Sequence, residues 1–495
     1  MLFFRKPKQV VIRPRAEHPI SRKNIAPEAL KVLYRLNEAG FKGYLVGGSV
    51  RDLLLGRQPK DFDVSTDAQP REIKRLFRNC FLIGRRFRLA HVIFGNQVIE
   101  TSTFRKQPDE TVTVADENAP GALYQNSDNT FGTPEEDAKR RDFTVNGLFY
   151  DIKSFDIIDY VGGLHDLDQR TLRAIGDPNV RFREDPVRMM RAVRLAARLD
   201  LTIEKKTYRA ICTHHQEIAQ ASDARVLEEI FRLFGFNASA KTFKLLWETR
   251  MMAALMPHLD RYVKQSGKEK SPLWSYLAQM DELERRAGGD FSNGLHLAVL
   301  AYPIFQAAVE TARKADARNI NQLEIAERCL EDFNTRFKVP KAIYFHAVHL
   351  LDDQQRFSAM PAPGRRIRAG RAAEFADALC LARIRLALTG ESMHILDVWQ
   401  ALMPAVHHHA DHPSENPRRH PRPHPDDPDA ETPEQVVRDD APAEAAEGGQ
   451  TEGDAPAGHN RRRKRRGGRR HARRAPDGEG VSSGGAAPAE AGPPV

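Results

Sequence analysis

Cysteine is scarce in this 495-residue sequence: Cys80, Cys212, Cys329 and Cys380 lie far apart and form no CxxC pair. That argues against a disulfide scaffold or a structural zinc site, and a reducing cytoplasm is the expected compartment. Long apolar runs are missing too. Residues 294–309, the most apolar stretch, are interrupted by His296, Pro303 and Gln306, too short and too broken a run to span a bilayer. No apolar h-region follows Met1, so no secretory signal is expected. After Pro404, large aliphatic and aromatic residues almost vanish. Such a segment cannot bury enough surface to offset ordering entropy, and residues 405–495 are expected to form a disordered tail.

Charge, by contrast, is abundant and uneven. The chain carries 76 Lys+Arg against 67 Asp+Glu, a net +9. Residues 1–404 hold +11 and the tail −2; within the tail, residues 426–454 sum to −10 and residues 461–474 to +10. Residues 71–106 carry nine bases and two acids. This balance points to an anionic partner. The block Arg461, Arg462, Arg463, Lys464, Arg465 and Arg466 is a candidate for sequence-independent RNA attraction or for docking a protein partner, the alternative being a solubilising segment.

Periodicity predicts an α+β fold: a small mixed head, then a long all-helical part. The expected divisions are a basic N-terminal arm (1–20), a head (21–150), a helical neck (151–260), a helical body (261–404) and the charged tail (405–495). In the head, residues 27–39 have helical spacing, residues 44–46 form a short strand entering Gly47-Gly48, and residues 49–55 form a short helix. Residues 61–65 alternate polar and apolar as a half-buried strand does. A hairpin is expected around Gly95-Asn96. Farther along, residues 222–235, 239–256, 271–287 and 321–335 have helical period.

Asp61 and Asp63 are the chemical centre. In a strand, residues i and i+2 share a face, so their carboxylates converge and call for a cation. A pair of Mg²⁺ ions is the usual answer, and two such ions can clamp both oxygens of a phosphoryl displacement. A polar strand face is the plain alternative. Gly47, Gly48 and Ser49 join a strand to a helix where backbone N–H groups can approach phosphate, with Arg51 and Lys60 nearby. Glu100 lies on the second hairpin strand, either as a third carboxylate or as an edge-strand charge.

These residues resemble a known family. Leu45-Val-Gly-Gly-Ser-Val-Arg-Asp-Leu-Leu-Leu-Gly56 and Lys60-Asp-Phe-Asp-Val64 look like the signature of class II nucleotidyltransferases, which include bacterial poly(A) polymerases and CCA-adding enzymes. Val98-Ile-Glu-Thr101, Thr103-Phe-Arg105, Arg140-Arg-Asp-Phe-Thr-Val-Asn146, Asp159-Tyr-Val-Gly-Gly163 and Arg183-Glu-Asp-Pro-Val-Arg188 follow in the family's order. The resemblance implies metal binding by Asp61 and Asp63, Glu100 as a third carboxylate, and Asp142 in the active site. It implies nucleotide contacts from Gly47, Gly48, Ser49, Arg51, Arg141 and Asn146, with Glu184, Asp185 and Arg188 at the base. On a predicted helix, Asp142 and Asn146 would be i,i+4 neighbours. A structural account pairs Asp142 with Arg140 or Arg141, and treats Glu184, Asp185 and Arg188 as a capping salt bridge. Residues 84–92, containing Arg85, Arg86 and Arg88 as candidate RNA contacts, resemble the poly(A) polymerase version of this segment. The expectation is a monomeric enzyme without membrane attachment. It would add AMP from ATP to RNA 3′ ends without a template and promote RNA processing and decay. CCA addition to tRNA is the runner-up; a catalytically dead RNA-binding protein is the reading from another class.

Overall fold

The computed structural model describes residues 10–84, 89–106, 131–315, 320–362 and 372–402. All belong to one compact unit, residues 1–409; the second unit, residues 410–495, lies outside them. The expected disordered tail, the Arg461–Arg466 block and Arg85, Arg86 and Arg88 therefore fall outside the described residues.

Eight short strands make the head sheet: β1 (Val11–Arg13), β2 (Gly43–Val46), β3 (Asp63–Thr66), β4 (Cys80–Ile83), β5 (Leu89–Phe94), β6 (Gln97–Thr103), β7 (Leu148–Asp151) and β8 (Ile157–Asp159). Their order is β1-β8-β7-β2-β3-β6-β5-β4, and every neighbouring pair is antiparallel except β3 and β6. Two sequence expectations are corrected here. The arm at 1–20 contributes an edge strand, and the head does not end at 150, because β8 belongs to the same sheet. Both strands have only three residues, too few for alternation to register.

Strand alternation sorts the side chains onto two faces. Leu45, Val64, Ile99, Leu148, Tyr150 and Ile157 enter the main core, covered in part by the Pro27–Glu38 helix through Ala29, Val32, Leu33 and Leu36. Val46, Phe104 and Phe149 form a smaller cluster on the opposite face with Ala138, Val161 and Ile175. Burying each large aliphatic side chain is worth about 1.5–3 kcal/mol. The main core then continues without a break through the helices to Trp399. The division at 260 into neck and body therefore stands as a functional proposal.

The helical part agrees with the periodic segments, with one correction. Residues 239–256 form two helices, Ser239–Glu248 and Met251–Leu255, because Arg250 takes a left-handed conformation with φ 67° between them. The apolar run at 294–309 lies in the helix Asn293–Lys314, which continues through Pro303. By length and composition alone it is long and apolar enough to cross a membrane. Most of it is buried inside the protein, as befits a core helix.

Candidate active site

The strand carrying the acidic pair starts later than its alternation indicates. Asp63 opens β3, whereas Asp61 precedes it outside any regular element; Phe62 between them is buried in the core and both aspartates are exposed. Asp63 pairs with Val46 on β2, which puts it directly beside the Gly47 turn. On the other side, β3 and β6 run parallel with Val64 opposite Thr101, so Glu100 lies next to Asp63. Of the two readings of Glu100, the register supports the neighbouring carboxylate.

Electrostatics reflects this crowding. Asp63 retains exposed surface yet lies deep among protein atoms. Burial first, then Glu100, pushes its pKa up to about 6; Arg141 opposes the shift and Asp61 adds to it. Uncompensated acids of this kind suit a hard cation that also takes phosphate oxygens. Among the described residues no group of three or more His, Cys, Asp or Glu is arranged to hold a metal by itself. That is compatible with Mg²⁺, which is commonly held by one or two carboxylates together with substrate phosphates.

The Gly47 turn is shaped by its neighbour. Gly47 has φ 70° and ψ −128°, and a Cβ there would approach Arg141 Nη1 to 2.9 Å. Arg141 in turn donates to buried Asp137 at 2.8 Å and to Ser65 Oγ at 3.4 Å, beside Asp63 on β3. The following helix, Gly48–Leu54, holds Ser49, whose hydroxyl donates to the Val46 carbonyl at 2.9 Å. Arg51 does not stand open to phosphate as expected. It is buried, bonded to Asp52 and to the Asn146 side chain. Lys60 likewise turns away to Asp290, 3.1 Å distant, and lies over the Phe236 ring.

Asp142 and Asn146 do meet, but on no α-helix. The helix ends at Arg140, and a 3₁₀ turn, Thr144–Asn146, brings Asn146 Nδ2 to Asp142 Oδ1 at 2.9 Å. Neither Arg140 nor Arg141 pairs with Asp142; both go to Asp137. Its partner is Arg191, which donates twice to Oδ2 at 2.9 and 2.6 Å. Burial favours the neutral acid, but Arg191, Asn146 and the Phe143 N–H outweigh it and hold Asp142 well below the usual carboxylate range.

Glu184 accepts from Arg181 at 2.9 Å and from Arg188 at 3.1 Å, as the salt-bridge reading expects. Arg181 also donates to the Arg141 carbonyl at 2.8 Å, which ties this acidic corner to the Asp142 loop. Asp185 accepts the Val187 N–H at the start of the Val187–Leu199 helix and pairs with Arg225 at 2.9 Å. Sequence reasoning missed Arg191, Arg198, Arg225, Asp52 and Asp137. One signal was present: Arg188, Arg191, Arg194 and Arg198 recur every three or four residues. Each meets a different acid, Glu184, Asp142, Glu229 and Asp52 respectively.

With this geometry in view, the family matches become informative. A model of the "Poly A polymerase head domain" matches residues 43–173, and one of the "Probable RNA and SrmB- binding site of polymerase A" matches residues 200–263. Poly(A) polymerase I of Escherichia coli O6:H1 is 44% identical over 314 residues, 62% of this chain and 67% of that one. The chain belongs to the poly(A) polymerase family of nucleotidyltransferases. A CCA-adding enzyme of Lactobacillus helveticus is more distant, 38% identical over 45% of this chain and 54% of its own. The fold also resembles the CCA-adding enzyme of Bacillus stearothermophilus in complex with CTP, with TM-score 0.54, 25% identity, and coverage of 76% of this chain and 84% of that one. In poly(A) polymerase family terms, the head match begins at β2 and takes in Asp61, Asp63, Glu100, Asp142 and Asn146. Glu184, Asp185 and Arg188 fall between the two matched segments.

Proposed function

We propose that the chain transfers AMP from ATP to the 3′-hydroxyl of RNA without a template, releasing pyrophosphate. The observation that carries this reading is the row of carboxylates Asp61, Asp63 and Glu100 beside the Gly47-Gly48 turn. The family supports nucleotidyl transfer, and the higher identity to poly(A) polymerase I than to CCA-adding enzymes favours adenosine tails. Asp61 and Asp63 would hold Mg²⁺, which supplies charge neutralisation on the triphosphate and its leaving group.

The protein's own contribution is positioning. Glu100 stands where it can orient the attacking hydroxyl, and Arg141 offsets negative charge beside Asp63. The Gly47 N–H is bonded to the Leu148 carbonyl, so the N–H groups at the start of the helix that Gly48 opens are the ones that would approach phosphate oxygens. Asp142, fixed by Arg191, accepts from Asn146 Nδ2 and holds that residue, itself bonded to Arg51, beside the Gly47 turn. Glu184, Asp185 and Arg188 form a rigid edge for the base. Groups held this way spend little free energy on ordering when the reaction occurs.

The test is incubation with ATP, Mg²⁺ and a generic RNA oligonucleotide. A long adenosine ladder is expected, and Asp61→Ala or Asp63→Ala should each remove essentially all of it while RNA binding persists. Substantial residual extension by either variant overturns the assignment. On a tRNA lacking its end, addition that stops after CCA would overturn the choice of product.

A further inference from the structure

The sheet face that carries Asp63 and Glu100 does not stop at Glu100. The register continues the row outward: Glu100 lies opposite His91 on β5, and His91 lies opposite Phe81 on β4. His91 Nε2 is 3.6 Å from a Glu100 carboxylate oxygen. Period-two alternation places Ile83 on β4, Ile93 on β5 and Val98 on β6 on this same face. Its outer part is exposed: Phe81 is 60% exposed, Val98 46% and Ile83 43%.

Single exposed apolar residues are ordinary, but a contiguous set beginning one strand from a reacting carboxylate is not. Strands repeat about every 4.8 Å, so Phe81 sits roughly 10 Å from Glu100 and about 15 Å from Asp63 across the sheet. That is the span of the nucleotides just upstream of a hydroxyl held at Glu100. A flat sheet with an exposed aromatic ring is the kind of surface on which unpaired bases stack, and stacking tolerates any sequence because every base has a π-face. The described residues of the surrounding segment, 71–84 and 89–106, hold six bases against two acids, an excess that favours phosphates.

The geometry points to Phe81 as a stacking platform for a base of single-stranded RNA a few nucleotides upstream of the 3′ end. Ile83, Ile93 and Val98 supply the apolar floor around it, and the row Phe81–His91–Glu100 leads the strand to the carboxylates. This subsite rests on the proposed transferase function for the direction of the RNA, though its occupancy can be read without any catalysis.

Phe81→Ala is compared with Phe81→Trp and Phe81→Tyr. Losing the ring should raise the KM for an RNA oligonucleotide about tenfold, the effect of one base stack. The KM for ATP should stay unchanged, and the aromatic variants should keep the wild-type value. An oligonucleotide with abasic nucleotides just upstream of its end should bind the wild type more weakly and Phe81→Ala no more weakly than the intact RNA. Phe81→Trp fluorescence should be quenched by RNA beyond any quenching in the wild type, which reads the subsite even in a protein that extends nothing. An unchanged RNA KM in Phe81→Ala, a shift in ATP KM instead, or equal abasic penalties in both proteins would overturn the inference. Absence of extension by the wild type would overturn the proposed function alone.

Discussion

Asp63 is the side chain whose ionisation the site controls most directly. Its pKa lies at about 6, above the ordinary 3.8, chiefly through burial and Glu100. In the cation-free protein the folded state therefore favours the protonated acid. Its contribution to stability is full below the ordinary value and is lost as the pH rises through about 6. On the proposed assignment Mg²⁺ needs the carboxylate, so its binding should release about half a proton per protein at pH 6 and almost none at pH 8. Calorimetry in buffers of different ionisation enthalpy reads this, and Asp63→Asn should abolish the release; equal release at both pH values would contradict the assignment. Asp142 behaves oppositely: its depressed pKa gives stability that is lost as the pH falls below the ordinary carboxylate range. Arg191→Ala should cost about 2–3 kcal/mol in denaturant unfolding, because it strips two charge-assisted bonds from a buried acid. Arg191→Lys should not restore them, since an ammonium does not reproduce the planar fork. An unchanged unfolding midpoint in Arg191→Ala would refute this. The Asp63 neighbourhood was legible in the sequence, because alternation sets which side chains share a strand face. The Asp142–Arg191 pair was not: the residues are 49 apart, and arginines adjoining Asp142 offered nearer partners that Asp137 had already taken.

At the scale of elements, the Asp159-Tyr-Val-Gly-Gly163 motif has a physical reason that its sequence alone conceals. The Asp159 carboxylate accepts the N–H groups of Val161, Gly162 and Leu164 at 2.8–2.9 Å, closing β8 onto the next helix. A Cβ on Gly163 would lie 2.1 Å from the Thr144 carbonyl oxygen, inside the 3₁₀ turn that presents Asn146. Gly163→Ala should therefore destabilise the protein by about 4 kcal/mol or more. Gly289→Ala, with open space around it, should change the melting temperature little. Equal melting of the two variants would show that the turn yields without cost. The main helices were readable because ten or more residues of period 3.6 outweigh local noise. β1, β8 and the 3₁₀ turn were not, since three residues carry no period and their place is decided by distant partners.

Across the whole molecule, one core cluster joins sheet and helices from Ile20 to Trp399. Residues 10–402 should accordingly unfold as one cooperative unit. Trp247, Trp274 and Trp399 report on the helical part and the buried Cys80 thiol on the sheet. Urea transitions followed by tryptophan fluorescence and by Cys80 labelling should coincide; separate midpoints would reveal independent domains. The sequence count of positive charge also acquires a different meaning at this scale. Arginines of the Val187–Leu199 helix are matched to acids within the protein, so the field available to an anionic partner is smaller than the total implies.

That matching limits how the protein can be recombined. The Val187–Leu199 helix reaches Glu184 just before it, Asp142 and Asp52 in the head, and Glu229 farther along the chain. A graft of this helix into a relative must bring all four acids from their separate segments. Otherwise the graft leaves an unmatched guanidinium inside the host, so exchange of this segment between such enzymes has to follow tertiary partners and cannot follow motif boundaries.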